Sequence, residues 1–403
     1  MKAIESYAGS LGKVIVVCLT MLALMTVLVA CGPDGVGTEN NAAESTNDGG
    51  SSSQVDASSK QEPVVPEPSG ATDTSTSGPE GGQPELTPEP SKPRAQLPMR
   101  GVTLSAPRDG RIWATSSVET ATQELKGLGV NWITYHPYAW IRNDGSLIFQ
   151  NSTTQAIVAN PIRVGKKLNV KVMLKPHIGY WGSKFGWRGD IQFGDDEAAW
   201  ARFFENYTRW IVVQAKIAEE EKAEVLSIGL EYKQTLERKE WLDVIAAVRK
   251  VYSGKLTYAA NWDVYKKVPF WDKLDYIGVQ FYFPISDVVP PKESDLVAGW
   301  KKVLAELKAY SEKIGRPMIL TELGYNRSAW AAQKPWDYEQ GGPQADETKL
   351  LCMKVALEQL KAASFIEGAF LWKWYPDGRN LSHDFHIQYP EMKDVLKGAW
   401  FTP

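Results

Sequence analysis

The feature that most constrains this chain is an alternation that begins at Met99. Short apolar runs take turns with amphipathic stretches, and the pair recurs eight times up to Pro403. The apolar runs are "MRGVTLSA", "VNWITYHPYAW", "VKVMLKPHI", "VLSIGLE", "KLTYAAN", "LDYIGVQFYFP", "PMILTE" and "IEGAFLWKWYP". They are continuous rather than alternating, which is the pattern of strands buried on both faces. Helical patterns separate them, such as "SVETATQELKGLG", stopped by Gly127 and Gly129, and "DDEAAWARFFENYTRWIVVQAKIAEEEK", for which Asp195 and Asp196 suit the cap. After the fifth run there is only a short helical turn, "VPFWDKL". Buried strands joined by helical crossovers must run parallel. Eight such units in roughly 305 residues fit a closed (β/α)8 barrel, the TIM-barrel architecture. An open doubly wound sheet competes, but it usually carries a Gly-rich phosphate loop after its first strand. Here "GVTLSAPRDGRIW" contains no GxGxxG. The α/β barrel is therefore expected over residues 99–403.

The residues before it read differently. Lys2 and Lys13 precede an apolar run from Val14 to Ala30, somewhat short for a spanning helix. The run ends Leu28-Val29-Ala30-Cys31, followed by Gly32. This resembles the lipobox of bacterial lipoproteins, which implies a signal peptide over residues 1–30, cleavage before Cys31 and lipidation of that cysteine. Two or more acyl chains make such an anchor stable. The expectation is an exported protein, held to a membrane by lipid alone, at the cell surface or in the periplasm. Residues 31–98 are rich in Ser, Gly, Pro, Thr, Glu and Asp, with almost nothing to bury, and read as a disordered tether. A flexible coil of that length spans on the order of 45 Å.

Composition narrows the partners. The net charge of −3 in 403 residues offers no basic excess for phosphates, so no nucleic-acid partner is expected. Of three cysteines, Cys18 and Cys31 belong to the leader, so the barrel cannot hold an internal disulfide. Cys352 lies in a helical pattern and reads as a small buried hydrophobe. His136, His177, His383 and His386 form no HExxH or His/Cys cluster, so neither metal nor cofactor is expected. A monomer is expected. Sixteen Trp and sixteen Tyr supply a large core, and flat rings also suit the apolar faces of sugars.

In a barrel of this kind the chemistry sits at the carboxyl-terminal ends of the strands. After the second run stand His136, Tyr138 and Trp140; after the third, His177, Trp181, Trp187, Arg188 and Asp190. The fourth ends on Glu231, the fifth on Asn261 and Trp262, the sixth on Tyr282 and Phe283, the seventh on Glu322, and the eighth on Trp372 and Trp374. Any one of these has a bland reading, a histidine most often as a hydrogen-bonded scaffold residue. Their joint placement at one face is the signal.

Glu231 and Glu322 are the sharpest members, because a carboxylate closing a buried strand loses hydration and needs partners or a task. Strands four and seven lie across the barrel, so the two can meet over its axis. Carboxyl groups ~5 Å apart do not readily both ionise: one keeps its proton and can serve as an acid, while the other stays anionic and can attack. That division suits retaining glycoside hydrolysis, with Glu322 as nucleophile, Glu231 as acid and then base, and Tyr282 placed to hold Glu322.

The stretches "GVNWITYHPYAW", "KPHIGYWGSKFGWRGDI", "LSIGLE", "YIGVQFYFPI", "TELGYNRSAWAAQKPW" and "GAFLWKWYPD" together resemble the bacterial β-mannanases of glycoside hydrolase family 113. The resemblance implies cleavage of β-1,4-mannosidic bonds by Glu231 and Glu322. It also implies that His177, Trp187, Arg188, Tyr282 and Trp372, with His136, line the subsite of the sugar being cleaved. Leu230 stands where many relatives in the wider clan carry an Asn that holds the sugar's 2-hydroxyl, so that contact falls to Asn261 or to an upstream loop. The expected partner is a β-linked polysaccharide or oligosaccharide. Two alternatives stay open: a hydrolase of another β-linked glycan, and a surface lipoprotein that binds glycans without cutting them.

Overall fold

The computed structural model describes residues 96–106, 110–149, 151–337, 341–378 and 385–401. The expected leader, the greater part of the tether and Cys31 lie outside the described residues. Packing begins slightly upstream of Met99, because Leu97 is buried and the Gln96 side chain donates to the carbonyl of Trp400 at 3.3 Å. No helix among the described residues is long and apolar enough to cross a membrane.

Eight parallel strands close into the expected barrel: Met99–Leu104 (β1), Trp132–Tyr135 (β2), Lys171–Leu174 (β3), Val225–Leu230 (β4), Lys255–Asn261 (β5), Ile277–Phe281 (β6), Met318–Leu323 (β7) and Ile366–Trp374 (β8). Each pairs with its sequence neighbours, and β8 returns to β1. Helices Ser117–Gly127 (α1), Asn151–Leu168 (α2), Glu197–Glu221 (α3) and Glu240–Arg249 (α4) follow the first four strands. Glu293–Ile314 (α5), Ala345–Lys361 (α6) and Pro390–Trp400 (α7) follow the last three, and only short 3-10 turns follow β5. The Asp196 side chain accepts from the Ala199 amide at 2.9 Å and starts α3, as an N-cap aspartate does. Cys352 is buried on α6.

The second and third apolar runs each break in two. Their distal halves, Tyr138–Ile141 and His177–Gly179, leave the barrel and join Leu147–Ile148 in a separate three-stranded sheet. Inside the barrel, Met99, Trp132, Met173, Val225, Ile319 and Phe370 form an apolar floor. Further along the barrel, Thr103, Thr134, Ser227, Thr257, Gln280 and Thr321 on its strands and Lys175 just past β3 are all fully buried. The interior therefore turns polar toward the end at which the strands terminate. Gly278 keeps this layer open, since a Cβ there would sit 2.3 Å from the Tyr258 carbonyl oxygen and 2.5 Å from Thr257 Oγ1.

Candidate active site

Three strands gain a residue just where they reach the mouth of the barrel. On β4, Ser227 pairs with Thr257 and Leu230 with Ala259, so two residues oppose one. On β7, Leu320 pairs with Val279 and Glu322 with Gln280, leaving Thr321 as the extra residue. On β8, Leu371 pairs with Val102 and Trp374 with Leu104, again two against one. Such bulges bend a strand and re-aim the side chains that follow. Here they precede Glu231, deliver Glu322 and bracket Trp372. The displaced backbone groups find partners: the Tyr207 hydroxyl donates to the Ile228 carbonyl at 2.7 Å, and Lys175 Nζ donates to the Thr321 carbonyl at 3.2 Å.

Glu231 itself has φ +54, a left-handed conformation that costs a non-glycine residue about 1 kcal/mol or more. The surroundings hold it there. Its amide donates to the Ala259 carbonyl at 2.9 Å and its carbonyl accepts from Lys233 at 2.7 Å. The next amide, of Tyr232, donates to the Tyr258 hydroxyl at 2.9 Å. Strain clamped in this way turns the Glu231 side chain into the mouth instead of along the barrel wall.

The two carboxylates meet opposite treatment. Glu322 is buried, with Oε1 paired to Lys175 Nζ and Oε2 accepting from the Tyr282 hydroxyl at 2.7 Å. A charge-assisted grip on both oxygens fixes the plane of the group. Burial pulls the Lys175 ammonium below the ordinary lysine value, and the charge of Glu322 works against that pull. Glu231 has more distant donors, Trp187 Nε1 and Arg188 Nη1, both 3.3 Å from Oε2. Burial is the largest influence on Glu231 and pushes its carboxyl up to about 7; Arg188 opposes the rise and the negative charge of Glu322 adds to it. Near neutral pH Glu231 can therefore gain or lose a proton, whereas Glu322 is gripped by donors on both oxygens.

Glu231, Glu322, Trp187, Arg188, Asn261, Tyr282 and Trp372, all expected from the sequence, line one cavity of about 540 Å³. The Asn261 side chain donates to Asp263 at 2.9 Å. The histidines require a correction. His136 and His177 are buried and stand behind the lining rather than in it. They stack on each other at 4.5 Å, and His177 stacks on Trp372 at 6.2 Å. Arg188 Nη1 lies 3.5 Å from His177 Nδ1, and Ser105 Oγ lies 3.1 Å from His136 Nε2. Burial above all holds both rings well below the ordinary histidine value, with Lys175, Lys373 and Arg188 adding to it at His136, and His136, Arg188 and Lys175 at His177, so they back the site as neutral imidazoles. They lie behind because their segments bend away into the small sheet.

Trp374 is a second correction. It is fully buried in the main core, with Lys393 of α7 over its ring at 5.4 Å, and does not reach the cavity. Period-two alternation puts it on the same face as Trp372, but the bulge on β8 breaks that alternation.

Sequence reasoning missed other members. Lys175 carried the same signal as the glutamates, a charge closing an apolar run. Trp336, 41% exposed, comes from the long segment after β7 and stacks on Trp262 at 5.2 Å. Tyr180, Asp263 and Phe385 complete the wall.

The profile of Glycoside Hydrolase Family 113 matches residues 103–384, which takes in both glutamates and every wall residue except Phe385. The chain belongs to glycoside hydrolase family 113. It is a glycosidase, and the family implies a β-linked glycan as substrate. Among solved structures, a family 113 β-1,4-mannanase aligns at TM-score 0.67 and 23% identity, covering 76% of this chain and 100% of that one. The family 113 β-mannanase AaManA from Alicyclobacillus acidocaldarius, in complex with ManMIm, aligns at 0.64 and 23% identity, covering 76% and 97%. A family 5 subfamily 18 protein from Bifidobacterium longum, in complex with Manb1-4GlcNAc, aligns at 0.51 and 12% identity, covering 74% and 77%. These likenesses carry the barrel fold. No curated protein matches the chain.

Proposed function

We propose that this family 113 member is a retaining endo-β-1,4-mannanase, exported and tethered to a membrane through a lipid on Cys31. The observation that carries the mechanism is the unequal treatment of two glutamates in one cavity. Glu322, held by Lys175 and Tyr282, is suited to attack the anomeric carbon. Glu231, pushed up to about 7, is suited to donate a proton and take one back.

The steps follow from those roles. Glu231 protonates the glycosidic oxygen as the bond to the anomeric carbon breaks, and a Glu322 oxygen bonds to that carbon from the opposite face. Water then enters on the side of Glu231 and gives it a proton. The water oxygen bonds to the anomeric carbon, and the ester electrons return to Glu322. Trp187 and Arg188 are placed to guide the moving proton through Glu231. Leu230 is fully buried, so the contact to the 2-hydroxyl falls to a cavity residue such as Asn261 or Arg188.

Two points support mannan and endo action. Two of the structural relatives above are β-mannanases, one of them a β-1,4-mannanase. The stacked pair Trp262 and Trp336 gives the cavity wall an exposed aromatic face beyond the carboxylates, where further sugars of a chain can rest.

The test is reducing-sugar release and product sizing over a panel of β-linked glycans. Rapid shortening of β-1,4-mannan to mixed oligosaccharides supports the proposal. Cleavage of a different β-glycan replaces the substrate, release of single sugars alone replaces endo with exo action, and binding without cleavage of any glycan removes the activity.

A further inference from the structure

Lys175 is a buried charge to which the mechanism above gives no step. Its side chain is fully buried. Nζ donates to Glu322 Oε1 and to the Thr321 carbonyl at 3.2 Å, and lies 5.1 Å from the centre of the Trp372 ring. A buried ion pair is a poor source of stability, since apolar groups of the same volume often serve as well or better. A lysine kept on the attacking carboxylate in spite of that points to the reaction.

In the double displacement the charge of Glu322 changes twice: the anion becomes a neutral sugar ester, then an anion again. The ammonium does not move. While the ester exists, Lys175 keeps the Thr321 carbonyl but has lost its counter-ion, and the loss is repaired only when the ester breaks. A fixed cation of this kind favours the step in which negative charge returns, as preorganised dipoles do elsewhere.

We propose that Lys175 is a positioning residue that speeds hydrolysis of the glycosyl-enzyme by receiving the carboxylate charge on Glu322 as the ester bond breaks. In that step water oxygen bonds to the anomeric carbon, a water proton passes to Glu231, and the electron pair of the carbon–oxygen bond goes to the carboxylate facing Lys175. The proposal rests on the reading of Glu322 as nucleophile.

The test isolates the second step. Wild type, Lys175→Met and Lys175→Arg in the full chain are labelled with 2-deoxy-2-fluoro-β-mannosyl fluoride, and the adduct is located by mass spectrometry. Excess reagent is removed, and the return of activity and loss of adduct mass are followed. Decay is counted per labelled molecule, so an inactive or misfolded fraction does not enter. A charge-assisted hydrogen bond lost at the departing group slows decay about 10- to 100-fold in Lys175→Met, whereas Lys175→Arg stays within a few-fold of wild type. If Lys175→Met does not fold, Lys175→Gln, which keeps a donor for Thr321, takes its place. Wild-type decay in the uncharged variant overturns the proposal, as does equal slowing in the arginine variant. If wild type takes no label at Glu322, the nucleophile reading falls, and this proposal with it.

Discussion

Replacing Arg188 with Met should move the alkaline limb of activity to higher pH while lowering the maximum rate. Glu231 must be protonated in the free enzyme to act as acid, so kcat/KM falls as pH rises through its pKa. That value is about 7, with Arg188 holding it down against burial. The guanidinium lies 3.3 Å from Oε2. With an effective dielectric of about 20, two unit charges at that separation attract by about 5 kcal/mol. Water entering the vacated space screens part of the loss, which leaves the shift of about 1–3 pH units that a nearby opposite charge commands. The sign is fixed: removing a cation favours the protonated carboxyl, so the limb moves alkaline. The assay is kcat/KM against pH on a mannooligosaccharide, whose poor leaving group needs the acid. An aryl glycoside with a good leaving group should show a flatter limb in both proteins. A limb that stays in place, or moves toward acid, would refute the assignment of Glu231 as the proton donor under the control of Arg188.

Other consequences follow from single contacts. Tyr282→Phe removes a 2.7 Å donor from Glu322 and should lower kcat about 10- to 100-fold, the worth of one hydrogen bond to a charged group; steady-state kinetics with an unchanged melting temperature checks it. Trp336→Ala should raise KM for long mannan more than for an aryl monoside, because the exposed ring, stacked on Trp262 in the cavity wall, is offered to further sugars of a chain; equal changes on both substrates would remove it as a platform. Cys31→Ser should release the protein from membranes or block its maturation, and fractionation that finds it membrane-bound at the same mature size would exclude the lipid anchor.

The barrel was legible because parallel strands buried on both faces leave continuous apolar runs, and eight of them recur with crossovers between. Glu231 and Glu322 were legible because a carboxylate at the end of such a run has no ordinary reason to be there. Lys175 carried an equal signal, but lysine is commonly read as a solvated cap, and only the fold shows it fully buried. The bulges were not legible. One added residue changes no composition and no apolar run, yet it decides which side chain enters the cavity, and period-two counting therefore misplaced Trp374. The left-handed turn at Glu231 is equally silent, since it is held by Ala259, Lys233 and the hydroxyl of Tyr258 rather than by local preference. His136 and His177 were found but set one layer too far forward, because nothing in "YHPY" or "KPHI" announces that the chain turns into a second sheet.

The central claim is that Glu322 attacks and Glu231 moves the proton, and azide reads both roles from one activated mannoside. In Glu322→Gly, azide can occupy the space of the missing carboxylate and bond to the sugar from that face, giving the α-mannosyl azide. In Glu231→Ala, the sugar ester still forms and azide replaces water on the other face, giving the β-mannosyl azide. Nuclear magnetic resonance of the two products distinguishes them directly. The account predicts α from the first variant and β from the second, each with partial recovery of rate. The opposite pair would exchange the roles of the two glutamates, and no azide product from either would contradict the double displacement itself.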